Sequence, residues 1–167
     1  MLDYQVLSAL FEQYRAALGK PVRTFRLGGR LFDFNRYRYL VGVINLSTDS
    51  WYRDSICATT QEAIARAEML QTDGADIIDI GAESTLPEAR QADIQQQLER
   101  LLPVVEALKA RHLLVSVESY YPEVLEACAK LGADIFNLTG TLYGEKIFKK
   151  RGVTGFNASI KGKMRFK

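Results

Sequence analysis

Four apolar runs in this 167-residue chain each lead into side chains that form hydrogen bonds. Tyr39-Leu-Val-Gly-Val-Ile-Asn45 ends on Asn45, and Asp76-Ile-Ile-Asp-Ile80 is followed by Glu83, Ser84 and Thr85. Leu113-Leu-Val-Ser-Val117 leads into Glu118 and Ser119, and Asp134-Ile-Phe-Asn-Leu138 carries Asn137 and leads to Thr139. Carboxylate and amide groups gathered in this way suit recognition of a flat polar heterocycle, because they pair with ring N–H, amino and carbonyl groups. Any one of them alone could equally be a helix cap or a loop hydrogen bond. Their recurrence after all four runs is what points to a site. A buried Glu118 needs a partner, since an unpaired carboxylate inside a protein is costly. Asn45 offers a neutral oxygen suited to a hard cation such as Mg²⁺ that already holds phosphate oxygens.

The loop from Leu46 to Ala58 carries Asp49, Ser50, Trp51, Tyr52, Arg53 and Asp54. It is long enough to close over a site. Trp51 and Tyr52 could stack on an aromatic substrate or anchor the loop.

The elements that must position these groups are readable from periodicity. Continuous apolar runs of this length are expected for strands buried on both faces. Between them lie helical segments. Thr59 or Thr60 can cap a helix that runs to about Thr72 and is stopped by Gly74. Residues 91–110 place Ile94, Leu98, Leu101, Leu102, Val105 and Leu108 on one helical face. Pro122 suits the first turn of a helix ending near Leu131. A short helix is expected near 142–150. Strand and helix alternate four times, which requires parallel strands with right-handed crossovers.

A repeat supports this. Asp73-Gly-Ala-Asp-Ile-Ile-Asp-Ile-Gly81 parallels Leu131-Gly-Ala-Asp-Ile-Phe-Asn-Leu-Thr139, aligning Asp79 with Asn137. Repeated βα units without a glycine-rich dinucleotide fingerprint fit a barrel better than a Rossmann sheet. In parallel barrels the C-terminal strand ends converge on the face that holds the active site. Ahead of these units, residues 3–18 read as a helix with Leu7, Leu10, Phe11, Tyr14 and Leu18 on one face. Residues 22–34 read as a hairpin turning at Gly28-Gly29, kept soluble by Arg23, Arg26 and Arg30.

Composition excludes other classes. No run of 18 apolar residues occurs, and no basic segment with an apolar core opens the chain, so no membrane partner is expected and a cytoplasmic location is. Cys57 and Cys128 lack metal-ligand spacing and read as reduced thiols; one histidine, His112, argues against a histidine metal site or triad. Eight of the 22 Lys and Arg follow Glu145, where no acidic residue occurs, leaving 14 basic against 20 acidic over residues 1–145. This basic tail has no amphipathic pattern. It reads as a solvated or non-native end rather than as a nucleic-acid arm.

Four motifs, in order, give a family resemblance. They are Val41-Gly-Val-Ile-Asn-Leu-Ser-Thr-Asp-Ser50, Gly74-Ala-Asp-Ile-Ile-Asp-Ile-Gly-Ala-Glu-Ser-Thr85, Ser116-Val-Glu-Ser119 with Pro122-Glu-Val124, and Gly132-Ala-Asp-Ile-Phe-Asn137. Over residues 38–140 the chain resembles dihydropteroate synthase, of the pterin-binding (β/α)8 TIM-barrel superfamily. The resemblance implies a partial barrel of about four βα units over residues 38–150, preceded by a helix and hairpin at 1–37 and followed by a tail at 151–167. It implies the joining of 6-hydroxymethyl-dihydropterin diphosphate to p-aminobenzoate, with release of diphosphate, in folate biosynthesis. Glu118, Asn137 and Asp79 would then meet the pterin. Thr85, Ser84, Asp49 and Asp54 would serve the diphosphate and the closing loops, and Asn45 would bind Mg²⁺. The family has an aspartate where this chain has Glu118, an arginine at Leu86 and a glycine at Glu88. Its lysine for the pterin, and the arginine and histidine that hold diphosphate, come from the second half of the barrel. This chain alone is therefore expected to be inactive. The alternative expectation is a non-catalytic pterin- or partner-binding half-barrel, completed in trans as a homodimer.

Overall fold

The computed structural model describes residues 3–50, 52–84 and 92–138. Two compact units result, Met1–Arg38 and Tyr39–Lys167. In the first, the Asp3 carboxylate accepts the Val6 N–H and starts helix α1 (Tyr4–Leu18), which Gly19 ends. The predicted apolar stripe of α1 is exposed and none of its residues is buried. Strands β1 (Phe25–Leu27) and β2 (Arg30–Phe32) form the predicted antiparallel hairpin. Its turn needs positive φ at both central residues, and Gly28 (53°) and Gly29 (80°) supply it. Phe25, Phe32 and Phe34 stack on one another with ring centroids 5.5–6.3 Å apart. The Asn35 amide bonds both the N–H and the C=O of Val22.

The second unit alternates β3 (Val41–Asn45), α2 (Thr60–Thr72), β4 (Ile77–Gly81), α3 (Ile94–Ala110), β5 (Val115–Ser119), α4 (Pro122–Lys130) and β6 (Ile135–Leu138). The four strands pair in parallel in the order β3-β4-β5-β6. The parallel pairing and the alternation with helices are those expected from the apolar runs, and they suit the part of a (β/α)8 barrel that the family resemblance implies. Ile44, Ile78, Ile80, Val115, Val117 and Phe136 share a core with Ala63 and Ala67 of α2, Leu101, Val104, Val105 and Leu108 of α3, and Val124, Leu125 and Cys128 of α4. The described residues contain no helix long and apolar enough to cross a membrane.

Three expectations change. β3 is buried on one face only: Ile44 is enclosed, whereas Val41 and Val43, on the other face, are 54% and 42% exposed. Among the described residues β3 pairs only with β4, which makes it an edge strand. β5 begins two residues after the apolar run starts. Leu113 is spent on the helix end, where its N–H bonds the Leu108 carbonyl. The face of α3 is rotated from the predicted one. Gln97, Leu101, Val104, Val105 and Leu108 are buried, while Ile94, Leu98 and Leu102 are only partly so. The short helix expected near 142–150 and the basic tail lie outside the described residues.

Helix ends and strand starts use one device three times. Gly74 and Gly132 take positive φ (101° and 91°) directly after α2 and α4, and His112 does the same after α3 with φ 58°. After each glycine comes Ala-Asp. The Asp76 carboxylate accepts the Leu40 N–H while its own N–H bonds the Leu40 carbonyl. Asp134 makes the same pair of bonds to Val115, and Lys109 bonds its carboxylate. The repeated Gly-Ala-Asp is thus a clamp from the start of one strand onto its neighbour. Close packing of α2 on β3 also needs Gly42, since a Cβ there would lie 2.9 Å from Leu70 Cδ1.

His112 bears the left-handed conformation that the other two helix ends give to glycine. His112→Gly should therefore raise unfolding free energy by about 1 kcal/mol, measured by chemical denaturation. An unchanged or lower midpoint would show that the histidine carries no such strain.

Candidate functional site

Alternation along the strands sends every second side chain to the concave face of the sheet. The parallel register then groups them into rows. Val43, Asp79, Ser116 and Ile135 lie across the sheet in one row. Asn45, Gly81, Glu118 and Asn137 make the next row, nearer the C-terminal strand ends. The sequence repeat aligns Asp79 with Asn137 along their own strands, yet the stagger between strands puts them in different rows. Gly81 matters because it has no side chain. A Cβ there would meet Glu118 at 3.6 Å, an ordinary contact, so the glycine is not forced by protein sterics. It leaves a gap between Asn45 and Glu118.

That gap belongs to a cavity of about 600 Å³, within the usual range for a small-molecule site. Asn45, Asp79, Ser84 and Glu118 line it, joined by Val41, Val43, Ser50, Tyr52, Arg66, Leu70 and Glu83. The loop after β3 folds back on its strand: Ile56 bridges to Asn45, and a 3-10 turn spans Arg53–Ser55. Ser55, fully buried, accepts the Asn45 Nδ2–H at 2.6 Å and donates to the Tyr52 carbonyl. This tether fixes the Asn45 amide with its nitrogen engaged, so its Oδ1 is the atom suited to a cation. The described residues hold no group of three His, Cys, Asp or Glu side chains able to bind a metal. One amide oxygen fits Mg²⁺ only where a ligand's phosphates and water supply the other bonds.

The other predicted residues divide. Asn137 stands beside Glu118 in register, and its buried Oδ1 has no hydrogen-bond partner among the described residues; the same is true of Asp79 Oδ1. Asp49 and Asp54 are exposed and absent from the cavity wall, although the Asp49 carbonyl accepts from Ser84 Oγ and so links the two loops. Thr85 and Trp51 lie outside the described residues. Sequence reasoning named Glu83 only as one of the polar groups after the second apolar run, and it gave no role to Arg66, which also lines the cavity, nor to Gln97 behind it. A glutamine inside the apolar stripe of α3 was the legible signal for the last.

Electrostatics mark the same place. Burial, then the charges of Asp79 and Glu83, push the Glu118 carboxyl up to about 7. Burial also raises Asp79, opposed by a hydrogen bond from Ser116. Three carboxyl groups thus face one cavity, where donors from a ligand would offset the cost of burying them. Elsewhere, Cys57 and Cys128 are free and buried, and burial pushes the Cys128 thiol up to about 12, which leaves it inert.

Residues 41–149 match the pterin binding enzyme family. The chain belongs to that family of pterin-binding barrels. Within it, the chain is 38% identical over 122 residues to dihydropteroate synthase of Staphylococcus haemolyticus, covering 72% of this chain and 45% of the relative. Dihydropteroate synthase of Xanthomonas albilineans, solved with 4-aminobenzoic acid, superposes with a TM-score of 0.68 at 29% identity, over 80% of this chain and 51% of that one. The Coxiella burnetii enzyme, solved with pteroic acid, gives 0.59 at 35% identity, over 70% and 41%. The chain thus spans about half the length of these relatives or less.

The raised Glu118 carboxyl has a consequence for stability. Between its ordinary value of 4.5 and about 7, the unfolded chain has lost this proton and the folded chain has kept it. Folding stability should therefore fall as pH rises through that window and level off above it. Denaturation at a series of pH values should show this decline in the wild type, and less of it in Glu118→Gln. Equal slopes in the two proteins would contradict the assignment.

Proposed function

We propose that this chain forms the pterin-recognising half of a dihydropteroate synthase site. The observation that carries the reading is a set of acceptors: Glu118 and Asp79 in the cavity wall, and Asn137 beside Glu118 in register, with Asp79 Oδ1 and Asn137 Oδ1 buried and without hydrogen-bond partners among the described residues. A pterin presents an amino group beside a ring N–H on one edge of a flat bicycle. A carboxylate and an amide carbonyl can accept those hydrogens, and the gap admits the ring. The relatives solved with pteroic acid and 4-aminobenzoic acid support the same chemistry.

In this reading the diphosphate of 6-hydroxymethyl-dihydropterin diphosphate lies toward Asn45, with Ser84, Thr85 and the Asp49–Asp54 loop closing on it and on p-aminobenzoate. Mg²⁺, when bound, would neutralise charge on the departing diphosphate. Asn45 Oδ1 orients that end, and the Ser55 tether keeps it from rotating away. Glu118 and Asn137 fix the ring so that the exocyclic carbon faces the incoming amine. No protein nucleophile is required, because positioning and leaving-group stabilisation suffice. Only about half of the relatives' length is spanned, so turnover is assigned to the whole barrel and binding to this part.

Calorimetry should detect 6-hydroxymethyl-dihydropterin binding to the chain, and 6-hydroxymethyl-dihydropterin diphosphate mixed with the chain and p-aminobenzoate should release no diphosphate. The ligand's donors need ionised Glu118, so affinity should rise up to about tenfold per unit as pH approaches 7 and level off above it. Asn45→Ala should weaken the diphosphate form in Mg²⁺ roughly tenfold and leave the alcohol unaffected. Absence of binding at every pH would sink the reading.

A further inference from the structure

Gln97 lies on α3, behind the cavity wall, and is 0% exposed. A buried primary amide must satisfy two donors and a carbonyl, and this one is fully engaged. Its Nε2 donates to Glu83 Oε2 at 2.6 Å and to the Ala92 carbonyl at 3.0 Å. Its Oε1 accepts from Ser119 Oγ at 2.8 Å, and Ser119 Oγ in turn accepts the Tyr121 N–H at 3.0 Å. One side chain therefore joins the loop after β4, the start of α3 and the end of β5. Glu83 faces the cavity, and Ser119 is the neighbour of Glu118 in the chain.

We infer that Gln97 is a positioning residue: its buried amide aims the Glu83 carboxylate at the cavity beside Glu118 and locks the ends of β4 and β5 to each other. A hydrophobic residue would fill the same space in the α3 stripe at less desolvation cost, so the amide is there for its hydrogen bonds. Fixing Glu83 has a chemical effect on the site, since its charge is one of those that keep the Glu118 proton on. The charged groups that share the cavity with Glu118 are Asp79, Glu83 and Arg66. Gln97 thus sets how many of the cavity's carboxyl groups are ionised before a ligand enters. The bearing on pterin affinity rests on the proposed function; the positioning itself does not.

The test is ligand-free. The Glu118 carboxyl is followed by ¹³C NMR through a pH titration of the full chain in wild type, Gln97→Met, Glu83→Gln and the double variant. The Glu118 midpoint should fall by at least roughly half a unit in each single variant, with no further fall in the double. A midpoint that moves in Glu83→Gln but not in Gln97→Met would overturn the inference, because Glu83 would then hold its place unaided. So would additive shifts. Should Gln97→Met not fold, the pair Glu83→Gln with Gln97→Glu reverses donor and acceptor across the same contact. That pair should unfold at a higher temperature than Gln97→Glu alone; no gain would overturn the inference. Calorimetry of the wild type with dihydropterin keeps the two claims apart, since failed binding would sink the pterin reading and leave the Glu118 titration as it was.

Discussion

The site depends on the stagger of parallel strands, and the stagger is held by a carboxylate clamp at the far end of the sheet. Asp76 bonds both backbone groups of Leu40, and Asp134 bonds both of Val115. A slip of one residue in either pair would turn the polar side chains outward and the apolar ones inward. The clamp makes such a slip cost two hydrogen bonds and strand a half-buried carboxylate. With those two registers fixed and β4 paired to β5 by its own ladder, Asn45, Gly81, Glu118 and Asn137 fall into one row at the functional end. Structure at the bottom of the strands therefore determines chemistry at the top.

The second constraint is the price of burying acceptors without donors. Asp79 and Asn137 each bury an oxygen that no described protein group meets, and burial and two neighbouring carboxylates push the Glu118 carboxyl up to about 7. This arrangement is poor for stability and good for recognition. A ligand with adjacent donors would relieve these costs together. Gln97 and Ser55 serve this end from behind, holding Glu83 and Asn45 at fixed angles.

Much of this was legible in the sequence. The apolar runs, the capping threonine, the glycine helix stops and the Gly28-Gly29 turn each have a local physical cause, and the cap, the stops and the turn are found where the pattern places them, while the runs locate the strands to within about two residues. The four site-bearing strand ends were legible for the same reason. What was not legible depends on pairing between distant segments. The repeat showed Asp79 and Asn137 as equivalents, and only the stagger reveals that they sit in different rows. The Gly-Ala-Asp motif looked like the approach to a strand, and its role as a clamp needs the neighbouring strand to be seen. The exposure of Val41 and Val43 could not be read from an apolar run, because a run records what a strand can bury rather than what covers it.

The central claim is that the gap at Gly81 is the seat of a flat ligand ring. Because protein sterics tolerate a Cβ there, Gly81→Ala separates folding from binding. Calorimetric titration of that variant with 6-hydroxymethyl-dihydropterin, beside its thermal unfolding midpoint, is the direct measurement. The account predicts an unfolding midpoint close to wild type and affinity weakened by about tenfold or more. Unchanged affinity in a folded Gly81→Ala protein would contradict it, since the ring would then lie somewhere else.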